Sequence, residues 1–432
     1  MRLPPHLPVR NGHLHVGAHD TVELACRFGT PLYITDEDRV RANYREYRDA
    51  LQARYPRSKV LYAAKASGNP AILRALAQEG AGADVFSSGE LLLALRAGME
   101  PDDLLFNGSS KSPADLALAV EKGVRVSVDS LDELRQLDRA ATGAGCEVEI
   151  AFRVNPALEV PTHPKIATGL ATSKFGIPHG QVPDAYRAAL SCRSVVPTGI
   201  HCHIGSQILE VRPFAEAAGV MTRLASAVHD MGVPLTFIDL GGGLGIPYHR
   251  TTDPVPTPAD YAAGVVPVFL QGIREAGISP ELWVEPGRYL VGDSTVLLAR
   301  VNSVKEAHAR FVNVDAGFNL LVRPVMYDAY HEVMVANKAD SPATQTCSIA
   351  GPICETGDLL ARDRALPMVQ AGDLIAVLDA GAYGFAMASQ YNQRCRCPEV
   401  LVRGEEVALM RRGETLDDLL TTVEEPPWQH RG

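Results

Sequence analysis

The amino-acid sequence predicts a (β/α)₈ barrel joined to a mainly antiparallel β domain. Three observations predict it. Eight short apolar or β-branched runs recur between residues 59 and 285, helix-like segments separate most of them, and from about residue 291 the texture changes to alternating residues punctuated by turns. Eight strand-then-helix units over roughly 230 residues match the ~250 residues that such a barrel typically takes. The chain carries neither a short internal repeat nor a low-complexity tract.

Taken in order, residues 1–35 are short, and PLYI at 31–34 suits a strand of the β domain rather than of the barrel, which makes that domain discontinuous. A helix before the barrel follows, with Val40, Tyr44, Tyr47 and Leu51 on one face. The barrel strands are expected at 59–64 (KVLYAA), 83–87 (ADVFS), 104–107 (LLFN), 124–128 (VRVSV), 148–154 (VEIAFRV), 197–203 (PTGIHCH), 235–240 (LTFIDL) and 282–285 (LWVE). Between the first two, Asn69 can cap a helix, Pro70 suits its first turn and Gly80 can end it; 130–143 and 212–230 read the same way. The barrel therefore spans 36–290. Residues 1–35 and 291–432 form the β domain, through TVLLARVNSV, ARFVNVDAG, DLIAVLDAG and EVLVRGEEVALMRRG.

At 432 residues and 46% hydrophobic, the chain can bury a core of this size. Its 41 basic against 51 acidic residues give a formal charge of −10, so no overall positive field exists to gather a nucleic acid. No stretch approaches the ~20 consecutive apolar residues that cross a bilayer, and the opening MRLPPHLPVRNGHLH lacks the apolar core of a secretory signal. A cytoplasmic protein is expected. Eight cysteines, at 26, 146, 192, 202, 347, 354, 395 and 397, are too sparse for a disulfide scaffold and form no paired CxxC knuckles, so free thiols are expected.

Barrel enzymes place their working groups at the C-terminal ends of the strands and in the loops that follow. Lys65 follows strand one, Asp84 lies on strand two, Arg153 is near the end of strand five, His203 ends strand six, Gly241–Gly243 follow strand seven and Glu285 ends strand eight. A lysine inside YAAKAS would lose hydration and deprotonate more readily, as an amine must to hold an aldehyde cofactor; a lysine snorkelling from a strand end is the plainer alternative. DLGGGLG is followed by IPYHRTTDPVP, which offers no helix start, so it is no dinucleotide fingerprint. Its glycines suit either a phosphate cradle, which barrels build after strands seven and eight, or a tightly packed turn.

Glu285 in EPGRY suits the protonated ring nitrogen of pyridoxal phosphate, or a salt bridge with Arg288. His203 suits the pyridine face, or a satisfied core position. His201, Cys202 and His203 make a poor metal set, because adjacent strand residues alternate faces; no metal is expected. Cys354 in GPICETGD can donate a proton near a cationic cofactor, or be merely buried. Cys395 and Cys397 lack a companion ligand nearby and read as surface or core thiols.

YAAKAS, SKFG, HCHIGSQ, DLGGGLG, EPGRY, GPICETGD and GAYGFAMASQYN, in this order from about residue 30 to 402, resemble the fold-type III pyridoxal-phosphate decarboxylases, with their alanine racemase-like fold, and most closely the diaminopimelate decarboxylase family. The resemblance implies that Lys65 carries pyridoxal phosphate, Glu285 contacts the pyridine nitrogen and His203 stacks on the ring. Ser206, Gly243, Pro286, Gly287, Arg288 and Tyr383 would surround the phosphate, and Asp84 and Arg153 would support the cofactor. Substrate would meet Arg288, Arg323, Tyr327, Glu355 and Tyr383; two planar guanidinium forks suit a distal carboxylate, and Glu355 the distal ammonium. Cys354 would protonate the carbanion left by carbon dioxide, reaching the site from the partner in a homodimer with shared active sites.

The implied activity is decarboxylation of meso-2,6-diaminopimelate to L-lysine. Other readings are an ornithine, arginine or carboxynorspermidine decarboxylase, a racemase on the same barrel, or a non-catalytic cofactor-binding regulator. Two stretches depart from the family pattern: RCRCPEVLV, where a proline-containing RPRPAEVLV is usual, and Phe318 and Leu320, which stand where methionine and aspartate are expected.

Overall fold

Eight parallel strands close into a barrel in the computed structural model, which describes residues 3–158, 160–166, 168–169, 173–253 and 255–430. The strands are Ser58–Ala63, Gly82–Val85, Leu104–Phe106, Arg125–Val128, Val148–Asn155, Val195–Cys202, Phe237–Asp239 and Glu281–Val284, and the last pairs with the first. All eight expected runs are strands. His203 and Glu285, however, lie one residue beyond their strands rather than on them. A two-residue strand, Ile177–Pro178, adds to the fifth.

The barrel interior is filled, not hollow. Leu61, Leu105, Ala151 and Phe237, from strands one, three, five and seven, cluster with Trp283, whose ring stacks on Phe237 at 3.9 Å between centroids. Alternate strands supplying one packed layer is the expected barrel geometry. Gly199 on strand six has a packing reason: a Cβ there would collide with the Phe237 ring. The even strands contribute buried polar groups instead: Asp84, Ser127 and His201.

The surrounding helices form where the sequence places caps. Asn69 accepts from Ala71 N to start Pro70–Gln78, and Ser130 accepts from Glu133 N to start Leu131–Ala144. In Glu37–Gln52 the predicted face is fully buried, Val40, Tyr44, Tyr47 and Leu51 all being 2% exposed or less. Each such side chain contributes on the order of 1.5–3 kcal/mol of burial. Among the described residues no helix is long and apolar enough to cross a membrane.

The chain divides into two compact units, one of residues 39–292 and one of residues up to 38 together with those from 293 onward. The sheet of the second unit runs Leu359–Leu366, Gln345–Ala350, Arg310–Val314, Thr295–Glu306, Leu32–Asp36, Glu399–Arg403 and Glu406–Arg411, with Leu374–Val377 pairing to both Thr295–Glu306 and Val333–Val335. Thr295–Glu306 is its spine. Leu297, Ala299 and Val301 enter one apolar cluster and Val296 and Leu298 another, so both faces of this strand are covered. Most pairings are antiparallel. Arg310–Val314 with Gln345–Ala350 and Glu399–Arg403 with Leu32–Asp36 are parallel, which alternation along one strand cannot reveal.

Candidate active site

Strand one ends in a short turn, Ala64–Ala66, whose two alanines are buried while Lys65 remains partly exposed at the C-terminal end of the barrel. Lys65 Nζ donates to Asp84 Oδ2 and lies 4.8 Å from the centre of the Phe86 ring. Asn107 Nδ2, at the end of strand three, donates to Asp84 Oδ1 at 2.6 Å and to Glu285 Oε1 at 2.7 Å. His201 Nε2 lies 3.4 Å from Glu285 Oε2, and His201 Nδ1 is 2.8 Å from Ser127 Oγ. Lys65, Asp84, Asn107, Glu285, His201 and Ser127 thus form one connected polar chain across the barrel.

Three carboxyl groups share this buried space and take different states. Burial pushes Asp84 up, and the Glu285 charge adds to it while Lys65 opposes. Burial also raises Asp239, well above the carboxylate range, again with Glu285 adding. Glu285 goes the other way: burial alone would raise it, but His201 and then Lys65 hold it ionised. One carboxylate anion is therefore favoured at Glu285. The ligand atoms of His201, Asp239 and Glu285 fall within 4.8 Å of one another. His201 thus joins two carboxyl groups from neighbouring strands rather than the adjacent Cys202 and His203.

Beyond strand six, His203 Nδ1 accepts from Gly242 N at 3.1 Å, which fixes the proton of the neutral ring on Nε2. Burial, with Lys65 and Arg153 adding, holds this imidazole well below its ordinary range, so it stays neutral. Arg153 is buried, its guanidinium 4.4 Å from the centre of the Phe175 ring of SKFG. Arg288 donates to Ser206 Oγ at 2.9 Å and to the Tyr248 hydroxyl at 2.7 Å. The glycine turn has a structural requirement as well. A Cβ on Gly242 would strike the carbonyl of Glu285, and Gly243, at φ +123°, passes so close to Gly205 that no side chain fits.

The remaining candidates lie in the second unit. Arg323 and Tyr327 open and close a one-turn helix, Arg323–Tyr327. Arg323 is buried and its Nη1 lies 2.8 Å from His331 Nε2, whose Nδ1 is 2.8 Å from Leu378 O. Tyr383 holds a left-handed backbone, φ +56°, uncommon for an aromatic residue and a mark of a constrained position. Cys354 and Glu355 are exposed, so the merely buried cysteine is not what the structure shows. Cys397 is buried in the sheet core and Cys395 half-buried. Leu320 is core as well, its carbonyl accepting from the Tyr33 hydroxyl at 2.7 Å, whereas Phe318 stacks on Tyr391.

A family model described as pyridoxal-dependent decarboxylase, pyridoxal binding domain, matches residues 37–292. The diaminopimelate decarboxylase of Archaeoglobus fulgidus is 50% identical over 418 residues, covering 97% of this chain and 98% of that protein. The chain belongs to the diaminopimelate decarboxylase family. Among solved structures, the diaminopimelate decarboxylase of M. jannaschii in complex with L-lysine matches with a TM-score of 0.93 at 37% identity, over 98% of this chain and 99% of that one. The Helicobacter pylori enzyme, also with L-lysine, gives 0.87 at 34%, over 93% and 98%. Membership in this family of decarboxylases makes the chain a pyridoxal-phosphate enzyme of fold type III, as its motifs imply.

The residues present fit that cofactor. The barrel end offers a lysine amine for an aldehyde, an ionised buried carboxylate for a protonated ring nitrogen, and a guanidinium, a hydroxyl and a glycine turn too tight for side chains where a phosphate would need donors. Sequence reading missed Asn107, Ser127 and Asp239, and took His201 only as a weak metal ligand. A usable signal existed for Asn107, the single polar residue closing the LLFN run at a strand's C-terminal end.

Proposed function

We propose that this chain decarboxylates meso-2,6-diaminopimelate at its D-configured centre, giving L-lysine and carbon dioxide, the last step of lysine biosynthesis by the diaminopimelate route. The observation that carries the reading is the hydrogen-bonded chain that joins Lys65, through Asp84 and Asn107, to an ionised Glu285. It sets an amine and an anion at two ends of one rigid frame. That two relatives of similar fold hold L-lysine, the product assigned here, supports the substrate class.

Bound pyridoxal phosphate supplies an aldehyde for the substrate amine and a ring that accepts the electrons released when carbon dioxide leaves. Lys65 would hold it and Asp84 keeps the Lys65 side chain in place. Glu285 would meet the ring nitrogen, and His203, neutral and fixed by Gly242, would lie against the ring. Ser206, Gly243, Pro286, Gly287, Arg288 and Tyr383 would bind the phosphate, with Arg153 supporting. Arg288, Arg323, Tyr327, Glu355 and Tyr383 would bind the substrate. Cys354 gives its thiol proton to the carbon that lost the carboxylate. The working form is a cytoplasmic homodimer in which Cys354 of the partner subunit completes each site.

Arg323 tests the substrate assignment. His331 holds one edge of this buried guanidinium, and a planar fork suits a distal carboxylate. Arg323→Leu is expected to raise the KM for meso-diaminopimelate by about thirtyfold, the equivalent of the ~2 kcal/mol of a charged hydrogen bond, with a smaller change in kcat. Steady-state kinetics on purified holoenzyme read this directly. An unchanged KM would remove Arg323 from the substrate site.

A further inference from the structure

We propose that Tyr391 returns a proton to Cys354 after each turnover, passing it from water through the Tyr391 hydroxyl, which Glu355 orients, to the Cys354 sulfur. The proposal rests on Cys354 being the proton donor and assigns what must refill it. Decarboxylation needs this step. The bond to the carboxylate breaks, its electron pair ends in a new C–H bond, and one proton is consumed per carbon dioxide released. A thiol that supplies that proton is left as a thiolate and cannot act again until reprotonated.

The geometry is directional. The Cys354 thiol points at the Tyr391 hydroxyl oxygen, 3.8 Å away, and that hydroxyl donates to Glu355 Oε1 at 2.9 Å. Asn392 closes the arrangement from the other side: its Nδ2 donates to Cys354 Sγ at 3.1 Å and its Oδ1 accepts from Cys354 N at 3.0 Å. Phe318, one of the two departures before Arg323, stacks on Tyr391 with ring centroids 5.7 Å apart and planes inclined by 24°. Once the thiol has lost its proton, its sulfur becomes the acceptor facing the Tyr391 O–H, and Tyr391 recovers a proton from water while Glu355 keeps accepting from the hydroxyl. No electrons change hands. Hydrogen bonding to Glu355, and then to Cys354, pushes the Tyr391 hydroxyl up to about 12, so it carries its proton at neutral pH and passes it to the thiolate only as water protonates the same oxygen. Tyr391 is 43% exposed in the chain, which gives the path access to water.

Tyr391 acts through Cys354, so it is a positioning residue, and its test separates refilling from placement. Rapid-quench measurement of lysine formation by the holoenzyme gives the first-turnover rate and the steady-state rate. In Tyr391→Phe, which keeps the ring and its stack on Phe318, the ratio of steady-state to first-turnover rate is expected to fall by about tenfold or more, with a larger solvent deuterium effect on later turnovers than on the first. Asn392→Ala, which disturbs the placement of the sulfur, is expected to slow both phases together. A wild-type ratio in Tyr391→Phe overturns the relay. A wild-type first turnover in Cys354→Ala overturns the underlying assignment of the donor instead, so the two failures are told apart.

Discussion

Lys65→Ala is expected to lower turnover of meso-diaminopimelate by roughly a thousandfold or more, the scale of losing the amine proposed to anchor the cofactor. Lys65 sits in a turn between two buried alanines, with a salt bridge to Asp84 directing its amine. The fold should survive. Asp84 is already raised by its burial and by Glu285, and Lys65 is the group that opposes the rise; without Lys65 the carboxyl takes up a proton rather than remaining a buried unpaired charge. Retention of pyridoxal phosphate through gel filtration, measured beside turnover, completes the test. A variant that keeps the cofactor firmly and turns over within tenfold of wild type would contradict the assignment.

Glu285→Gln is expected to reduce kcat by about a hundredfold or more, with circular dichroism unchanged. The carboxylate is 3% exposed and accepts from Asn107, with His201 at its other oxygen. Glutamine has nearly the same shape but no charge, and whichever way its amide turns, an N–H₂ faces either the Asn107 N–H₂ or the His201 ring. With its oxygen toward Asn107 it keeps that hydrogen bond but loses the charge that strengthens it, at a cost of about 1 kcal/mol of stability. The pH dependence has a definite sign. Glu285 is lowered in the folded chain, so its contribution is fully present above the ordinary carboxylate range and is lost as the pH falls through its depressed value. The stability gap between wild type and Glu285→Gln should therefore be widest at neutral pH and narrow under acid, as urea unfolding at several pH values would show. A gap that widens on acidification would mean that Glu285 is protonated in the folded state.

Much of this was legible in the chain. The barrel strands are short apolar runs whose signal is local, and the caps at Asn69 and Ser130 act on their own first turns. Lys65, Asp84, His203 and Glu285 were found by asking which polar residues close those runs. The rule that barrel chemistry gathers there does not need the tertiary structure. Ser127 and Asp239 escaped, and His201 was weighed only as a metal ligand, because each is a polar residue within a largely apolar strand. Alternation says that such a residue faces inward or outward, but the partner it meets depends on barrel closure and stagger. Tyr391 and Asn392 escaped for a related reason: 37 and 38 residues separate them from Cys354, and only the folded turn brings them to its sulfur. Leu320 and Phe318, both departures in sequence, prove physically different, since one fills the sheet core and the other supports Tyr391.

The most direct test of the proposed function is carbon dioxide release by the purified holoenzyme from meso-diaminopimelate, set beside its LL isomer, ornithine, arginine and lysine, with Lys65→Ala as the blank. Release from the meso isomer alone, with lysine as the product, is the predicted result. Release from ornithine or arginine in preference to the meso isomer, or from none of the five while the cofactor remains bound, would contradict it.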